Sequence, residues 1–291
     1  RGAGVYSDAI VEDSKLGLEC IYDAINEKCH AYNYSELINI TKNNDIHKLT
    51  IKDTLENKTH HVECKNLIFS LGPFTDQVLK KLNIKWDPVM IPSKGSHIWI
   101  NKDALNIEQP MVLQTSDNRI IFVIPQRDAI LIGTTELALS EDEDIFNIQA
   151  SDKEINYIID NVNEYFPSAH LTKDAIIRSF AGVRPLVKDG SKDRSKVSRT
   201  HKVFEPENNI FVICGGKYTT FRVMAQDILK KVFKKHKKKY IKDLSLSPIR
   251  KKSIIGMQAE SFVTNEMIDN IINDEMPKTY EDLIYRRLSI I

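Results

Sequence analysis

Cysteine is scarce: Cys20, Cys29, Cys64 and Cys214 are all that 291 residues carry, and no two stand as Cys-x-x-Cys. That excludes a disulfide-stapled scaffold and argues against a cysteine zinc site. It reads as reduced structural thiols in a cytoplasmic compartment, with Cys20 and Cys64 at positions suited to burial. His60-His61 has no spaced Cys or His partner and reads as a solvated turn, not a metal site. No apolar run reaches the roughly 20 residues of a membrane-spanning helix, and Arg1-Gly-Ala-Gly4 lacks the layout of a signal peptide. Charge of one sign is missing too. The 41 Lys and Arg against 40 Asp and Glu leave +1, so the chain as a whole gives no electrostatic ground for nucleic-acid binding. Nor does any Gly-x-Gly-x-x-Gly occur, since Gly2-Ala3-Gly4 has no preceding strand and no third glycine. The first residue is not Met and Ser289-Ile-Ile291 closes in apolar sequence, so the expectation is an internal piece of a longer protein.

What is present is ordinary globular sequence, 42% hydrophobic and 28% charged, long enough for cores in two or three domains. The stretch Asn209 to Arg222 organises it. Ile210 to Ile213 predicts one buried strand, and Gly215-Gly216 allows a sharp turn or a close approach to a ligand. Thr219 and Thr220 are placed to cap a helix whose buried face is Val223, Ala225, Ile228, Leu229, Val232 and Phe233. Strand end, glycine turn and helix start bring backbone N–H groups together, and Lys217 adds a full positive charge. Such a place suits an anion.

Elsewhere the pattern predicts a strand over Arg1 to Ala9, a helix from Ser14, a strand over Ala31 to Ile40 and a hairpin of Leu49–Leu55 with Thr59–Cys64. Leu67 to Phe69 is a short buried strand running into Ser70-Leu-Gly-Pro73 and a helix over Thr75 to Leu82. From Trp86 the texture changes to short strands: Ser96–Ile100, then a hairpin of Arg119–Ile124 with Ala129–Gly133. This predicts an antiparallel sheet inserted between halves of a parallel one. Ser151-Asp-Lys-Glu154 is a capping box for a helix ended by Pro167, and Ile176 to Ala181 leads back. Asp189 to Arg194 is a polar loop. The basic run Lys230 to Lys239 reads as a solvated helix end or as a contact with an anionic membrane surface. Phe262–Ile272 and Thr279–Ile291 look helical. Arg184 precedes Pro185, where a strand is expected to stop, and its guanidinium fork matches phosphate or carboxylate. His97 heads a strand; an imidazole with an ordinary pKa near 6.5 suits proton abstraction from an alcohol.

Four segments in order, Ser93-Lys-Gly-Ser-His97, Ala181-Gly-Val-Arg-Pro-Leu186, Ser198-Arg-Thr-His201 and Cys214-Gly-Gly-Lys-Tyr-Thr-Thr-Phe-Arg222, resemble those of FAD-dependent glycerol-3-phosphate dehydrogenases. The resemblance spans most of the chain, and Ser70-Leu71 and Phe74 depart from the family's pattern. It implies an α/β fold: a Rossmann-like FAD-binding domain without its first βαβ unit, over 1–85 and 181–235. An antiparallel-sheet substrate domain over 86–180 would be inserted in it, with the start of a C-terminal helical domain over 236–291. FAD contacts would come from Leu37, Gly72, Pro73, Gly215, Gly216, Lys217, Tyr218, Thr219 and Thr220. Around the substrate the resemblance places His97, Arg184, Arg199 and Lys217, with His97, Arg184 and Lys217 catalytic. The implied reaction passes a hydride from sn-glycerol 3-phosphate to FAD, gives dihydroxyacetone phosphate, and hands electrons to a quinone. An oxidase using oxygen and a non-catalytic module that keeps the fold are the rival readings. Without the glycine fingerprint, these 291 residues alone are expected to bind FAD poorly.

Overall fold

Strand alternation and helix caps decide most of the architecture. The structure, a computed structural model, describes residues 2–43, 45–126, 129–139, 143–188, 200–240 and 263–288. The strand expected over Arg1 to Ala9 does not form: residues 2–12 take no regular structure, and Val5 is 98% exposed with no ladder to join. Helix α1 (Asp13–Asn26) follows, with Cys20 exposed on it, against the expected burial. Strands β1 (Ser35–Asn43), β2 (Ile46–Asp53) and β3 (Thr59–Cys64) form an antiparallel meander. Asp53 makes the β2–β3 turn, its carboxylate accepting from the backbone N–H groups of Leu55 and Glu56 at 2.9 Å. Those bonds hold its pKa below the usual carboxylate range. β1 starts four residues later than expected because Tyr34 sits in the left-handed region (φ 52°). His60 and His61 are exposed, but on β3 and not in a turn.

The chain then forms β4 (Leu67–Phe69), a tight turn over Gly72–Phe74 and α2 (Thr75–Lys81). Asp76 on α2 accepts from Trp86 Nε1 at 2.7 Å and from the Met90 backbone N–H at 2.9 Å, which sets where β5 (Met90–Asn101) begins. After it come β6 (Met111–Gln114), β7 (Ile120–Gln126), β8 (Ala129–Gly133), β9 (Leu137–Ala138), α3 (Asp152–Tyr165) and β10 (Ile176–Val187). β10 does not stop at Arg184. It passes through Pro185, which stands opposite Pro92, because β10 is the edge strand and an edge tolerates a missing donor. The last elements are β11 (Lys202–Glu207), β12 (Ile210–Cys214), α4 (Phe221–Lys235), α5 (Asn265–Asp274) and a π-helical turn over Asp282–Arg287.

Two sheets matter for function. One is antiparallel and six-stranded, ordered β10-β5-β8-β7-β6 with β9 on β5. Its buried face carries Ile98, Ile100, Ile121, Val123, Ile130 and Ile132 against Ile158, Ile159 and Val162 of α3. Each such side chain contributes about 1.5–3 kcal/mol by leaving water. The other sheet is β11-β12-β4, with β12 parallel to β4. β12 is buried on both faces, Val212 in a core with Leu79 of α2, Phe211 and Ile213 with Ile228 and Val232 of α4. That is the cover a parallel strand requires. The basic run on α4 is partly turned inward: Lys231 donates to the Val203 carbonyl at 3.3 Å and Lys235 pairs with Glu205 on β11, while Lys237, Lys238 and Lys239 are exposed.

By compactness the chain divides into Arg1–Asn33 with Leu244–Ile291, and Tyr34–Asp243. The first 33 residues thus group with the C-terminal segment, not with 34–85. In the smaller unit α1 and α5 both meet the Asp282–Arg287 turn, and Arg287 donates to the Glu275 carbonyl at 2.9 Å. Asp189 to Arg194, the Ser198-Arg199 half of its motif, Phe262 and Ser289 to Ile291 lie outside the described residues.

Candidate active site

β4 and β12 run side by side, with Val212 opposite Phe69, so the turns that follow them leave the same edge of the sheet. After β12, Gly215 and Gly216 both adopt positive φ, 78° and 82°. A Cβ on Gly215 would stand 2.9 Å from the Thr200 carbonyl oxygen, and one on Gly216 2.4 Å from Met224 Sδ. Only glycine fits both demands. The next residues are exposed. Lys217 N–H donates to Thr220 Oγ1 (3.1 Å), and that hydroxyl donates back to the Lys217 carbonyl (2.9 Å). Thr219 and Thr220 therefore do not cap α4: the Thr220 hydroxyl is spent on the Tyr218–Thr220 turn, and the helix has no side-chain cap. After β4, Gly72 also has positive φ (55°), but a Cβ there would meet nothing within 4 Å. Pro73 sits in the first turn, and Thr75 donates to the Gly72 carbonyl at 2.8 Å. Leu37 lies on β1, its side chain packed against the core that contains Phe69 and Val212.

The second cluster belongs to the antiparallel sheet. His97 on β5 stands opposite Gly133 on β8 and Phe180 on β10, so the three share one face. The imidazole stacks on Phe180, centroids 5.0 Å apart and nearly parallel. It occupies the space that a side chain on Gly133 would need. Burial first, and the Arg184 charge second, lower its pKa to about 4, so the imidazole is neutral at pH 7. Nδ1 is buried without a hydrogen-bond partner, as is Ser93 Oγ on the same strand. Arg184 lies across Gly95, where a Cβ would come within 2.5 Å of its guanidinium. It donates to the Lys94 carbonyl (3.2 Å), the Thr135 carbonyl (2.9 Å) and Thr134 Oγ1 (2.9 Å). His97 and Arg184 are thus brought together; Arg199 lies outside the described residues, and Lys217 belongs to the other cluster.

Two further residues make contacts that went unread in the sequence. His201 bonds Asp227 on α4 through Nε2 at 3.0 Å, joining the start of β11 to the helix that follows the glycine turn. The other is Glu154. Beyond closing its capping box, it forms a buried ion pair with Lys94 at 2.9 Å and accepts from Ser96 Oγ (2.7 Å) and Thr135 Oγ1 (2.8 Å). Burial alone would raise its pKa, but the bonds from Lys94, Ser151 and Ser96 outweigh it and hold the carboxyl at about 2. Cys214 is no nucleophile: burial, then the Asp76 charge, pushes its thiol up to about 11. Among the described residues no cluster of three or more His, Cys, Asp or Glu could hold a metal, and no helix is long and apolar enough to cross a membrane.

The parallel pair ends in glycine turns, and the antiparallel sheet presents a neutral histidine and a fixed arginine on one face. The FAD dependent oxidoreductase family (DAO) matches residues 1–226, and the chain belongs to it. Its cofactor is FAD. The aerobic glycerol-3-phosphate dehydrogenase of Staphylococcus aureus (strain MRSA252) is 30% identical over 261 residues, 87% of this chain and 45% of that protein. The chain therefore spans less than half the length of that curated relative. Among solved structures, the glycerol-3-phosphate dehydrogenase from Bacillus halodurans complexed with FAD matches with a TM-score of 0.70 and 27% identity, over 78% of this chain and 44% of that one. L-alpha-glycerophosphate oxidase from Mycoplasma pneumoniae with FAD bound matches with a TM-score of 0.50 and 15% identity, over 67% and 49%; that likeness is one of fold alone. The residues present are compatible with the cofactor: the space beside Gly72 is open and residues 217–220 are exposed, while Gly215 and Gly216 turn the chain against Thr200 and Met224.

Proposed function

We propose that this chain carries the substrate side and part of the flavin side of an enzyme that oxidises sn-glycerol 3-phosphate to dihydroxyacetone phosphate, with a quinone as final acceptor. Residues 86–180 are assigned to the substrate side. Gly72, Pro73 and Gly215 to Thr220 would hold FAD through their backbone, beside Leu37. Bound FAD supplies the acceptor for the hydride leaving C2 of the alcohol.

The observation that carries this proposal is the pairing of His97 and Arg184 on one sheet face. Three oxygen acceptors orient the guanidinium, whose full positive charge is the attraction for a phosphate. Arg199 and Lys217 are assigned as further cations for the same anion. An alcohol that loses hydride must also lose its hydroxyl proton, and His97 takes it at Nε2, since Nδ1 is buried. A pKa of about 4 makes a weak base. A bound phosphate offsets the Arg184 charge, the smaller of the two causes, and so moves the pKa up while burial still holds it low; proton acceptance is thereby coupled to substrate binding.

Anaerobic addition of sn-glycerol 3-phosphate to the full-length protein tests this. The oxidised flavin spectrum should bleach; an unchanged spectrum with flavin bound rejects the substrate. An oxygen electrode then tests the acceptor, since rapid peroxide formation without quinone or dye rejects the quinone assignment.

A further inference from the structure

We infer that Glu154, on the far side of the sheet from the substrate, is a positioning residue that acts through Arg184. Two of the acceptors that hold the guanidinium are the main-chain carbonyls of Lys94 and Thr135. The side chains of those same two residues both end on the Glu154 carboxylate, Lys94 Nζ at 2.9 Å on one oxygen and Thr135 Oγ1 at 2.8 Å on the other. Ser96 binds the pair twice over: its hydroxyl donates to Glu154 at 2.7 Å and its backbone N–H to Thr135 Oγ1 at 2.9 Å. Successive residues of a strand point to opposite faces. Gly95 therefore faces Arg184, while Lys94 and Ser96 reach through to α3 on the other side.

One carboxylate thus fixes the spacing between β5 and the chain after β8, and with it the two carbonyls that aim the guanidinium. Glu154 is itself fixed at the first turn of α3, where Ser151 donates to it through its backbone N–H (2.9 Å) and its hydroxyl (2.7 Å). Its side chain is 2% exposed, so solvent does not substitute for any of these bonds. The consequence is specific. Loss of Glu154 loosens the acceptors of Arg184 and weakens substrate capture without touching the flavin turns.

A double-mutant cycle on the full-length, flavin-loaded enzyme separates this from a merely structural role, and it rests on the proposed substrate. The reading is KM for sn-glycerol 3-phosphate, with rates normalised to bound flavin, in wild type, Glu154→Gln, Arg184→Ala and the double variant. Glu154→Gln should raise KM about tenfold in the wild-type background and leave it unchanged where Arg184 is already gone, because residues acting as a unit are not additive. Equal factors in both backgrounds, or a wild-type KM in Glu154→Gln, overturn the inference and leave the substrate standing. A wild-type KM in Arg184→Ala removes Arg184 from substrate capture, and the inference with it, while no reduction of the wild-type flavin by sn-glycerol 3-phosphate overturns the substrate assignment instead. Thr135→Val, which keeps the buried ion pair, carries the same cycle if Glu154→Gln does not accumulate, with a smaller rise that must also vanish without Arg184.

Discussion

The strand edge formed by β4 and β12 and the face of the antiparallel sheet are built by different means. At the strand edge the chemistry is in the backbone: Gly72, Gly215 and Gly216 hold positive φ, and the side chains that follow Gly216 are exposed. On the sheet face it is in side chains, each given room by a glycine on the neighbouring strand, Gly133 for His97 and Gly95 for Arg184. Glycine serves both, once to bend the chain and once to make space. A backbone site fails when φ is forced, whereas a side-chain site fails when one group is removed. The two should therefore break separately.

The largest effect is expected at His97. His97→Gln should keep the flavin and slow its reduction by roughly 10²–10⁴ in anaerobic stopped flow, the usual worth of a general base; reduction at the wild-type rate would leave His97 as packing against Phe180. Arg184→Ala should keep the flavin and weaken substrate binding by about 2–5 kcal/mol, as loss of one partner of a buried charged pair does. An unchanged dissociation constant by titration would remove it from the site. Gly216→Ala should do the reverse, losing flavin because a side chain at φ 82° costs about 1–3 kcal/mol. Flavin content after gel filtration is the check, and full retention would show that the turn relaxes.

The smallest effect is on stability against pH, and two groups of the sheet region give it separate windows. The folded pKa of His97, about 4, lies below the unfolded value near 6.5. The unfolded chain therefore binds more protons in that window, and stability falls as pH drops from about 6.5 to 4. Glu154, held at about 2 against an ordinary 4.5, contributes fully above 4.5 and is lost as pH falls through 2. Urea midpoints against pH should flatten in the upper window for His97→Gln and only in the lower one for Glu154→Gln. A shared change in both variants would mean that the two groups titrate as one.

The strand-edge region was the more legible in sequence, because a β-branched run closed by Gly215-Gly216 is a local signal. Hairpins and the α3 cap were legible for the same reason, and the turn of the Thr220 hydroxyl back onto Lys217 was the local detail missed. Cross-strand facts were not. Lys94 lies 60 positions before Glu154 in the chain, so nothing in either neighbourhood pairs them; the capping box accounted for Glu154 and hid its second use. Arg184 was read as the end of a strand because Pro185 follows, and only the edge position of β10 shows why the ladder continues. Residues 1–9 looked strand-like because alternation reports a preference and not a partner.

Because β12 is covered by α2 on one face and α4 on the other, its amides are shielded from both sides. Local openings that expose Phe211 to Ile213 must displace two packed layers at once, so these amides should exchange with solvent only through global unfolding. The glycine turn begins one residue beyond Cys214. It inherits a stationary end on its strand side, and the two Lys217–Thr220 hydrogen bonds hold the residues that follow.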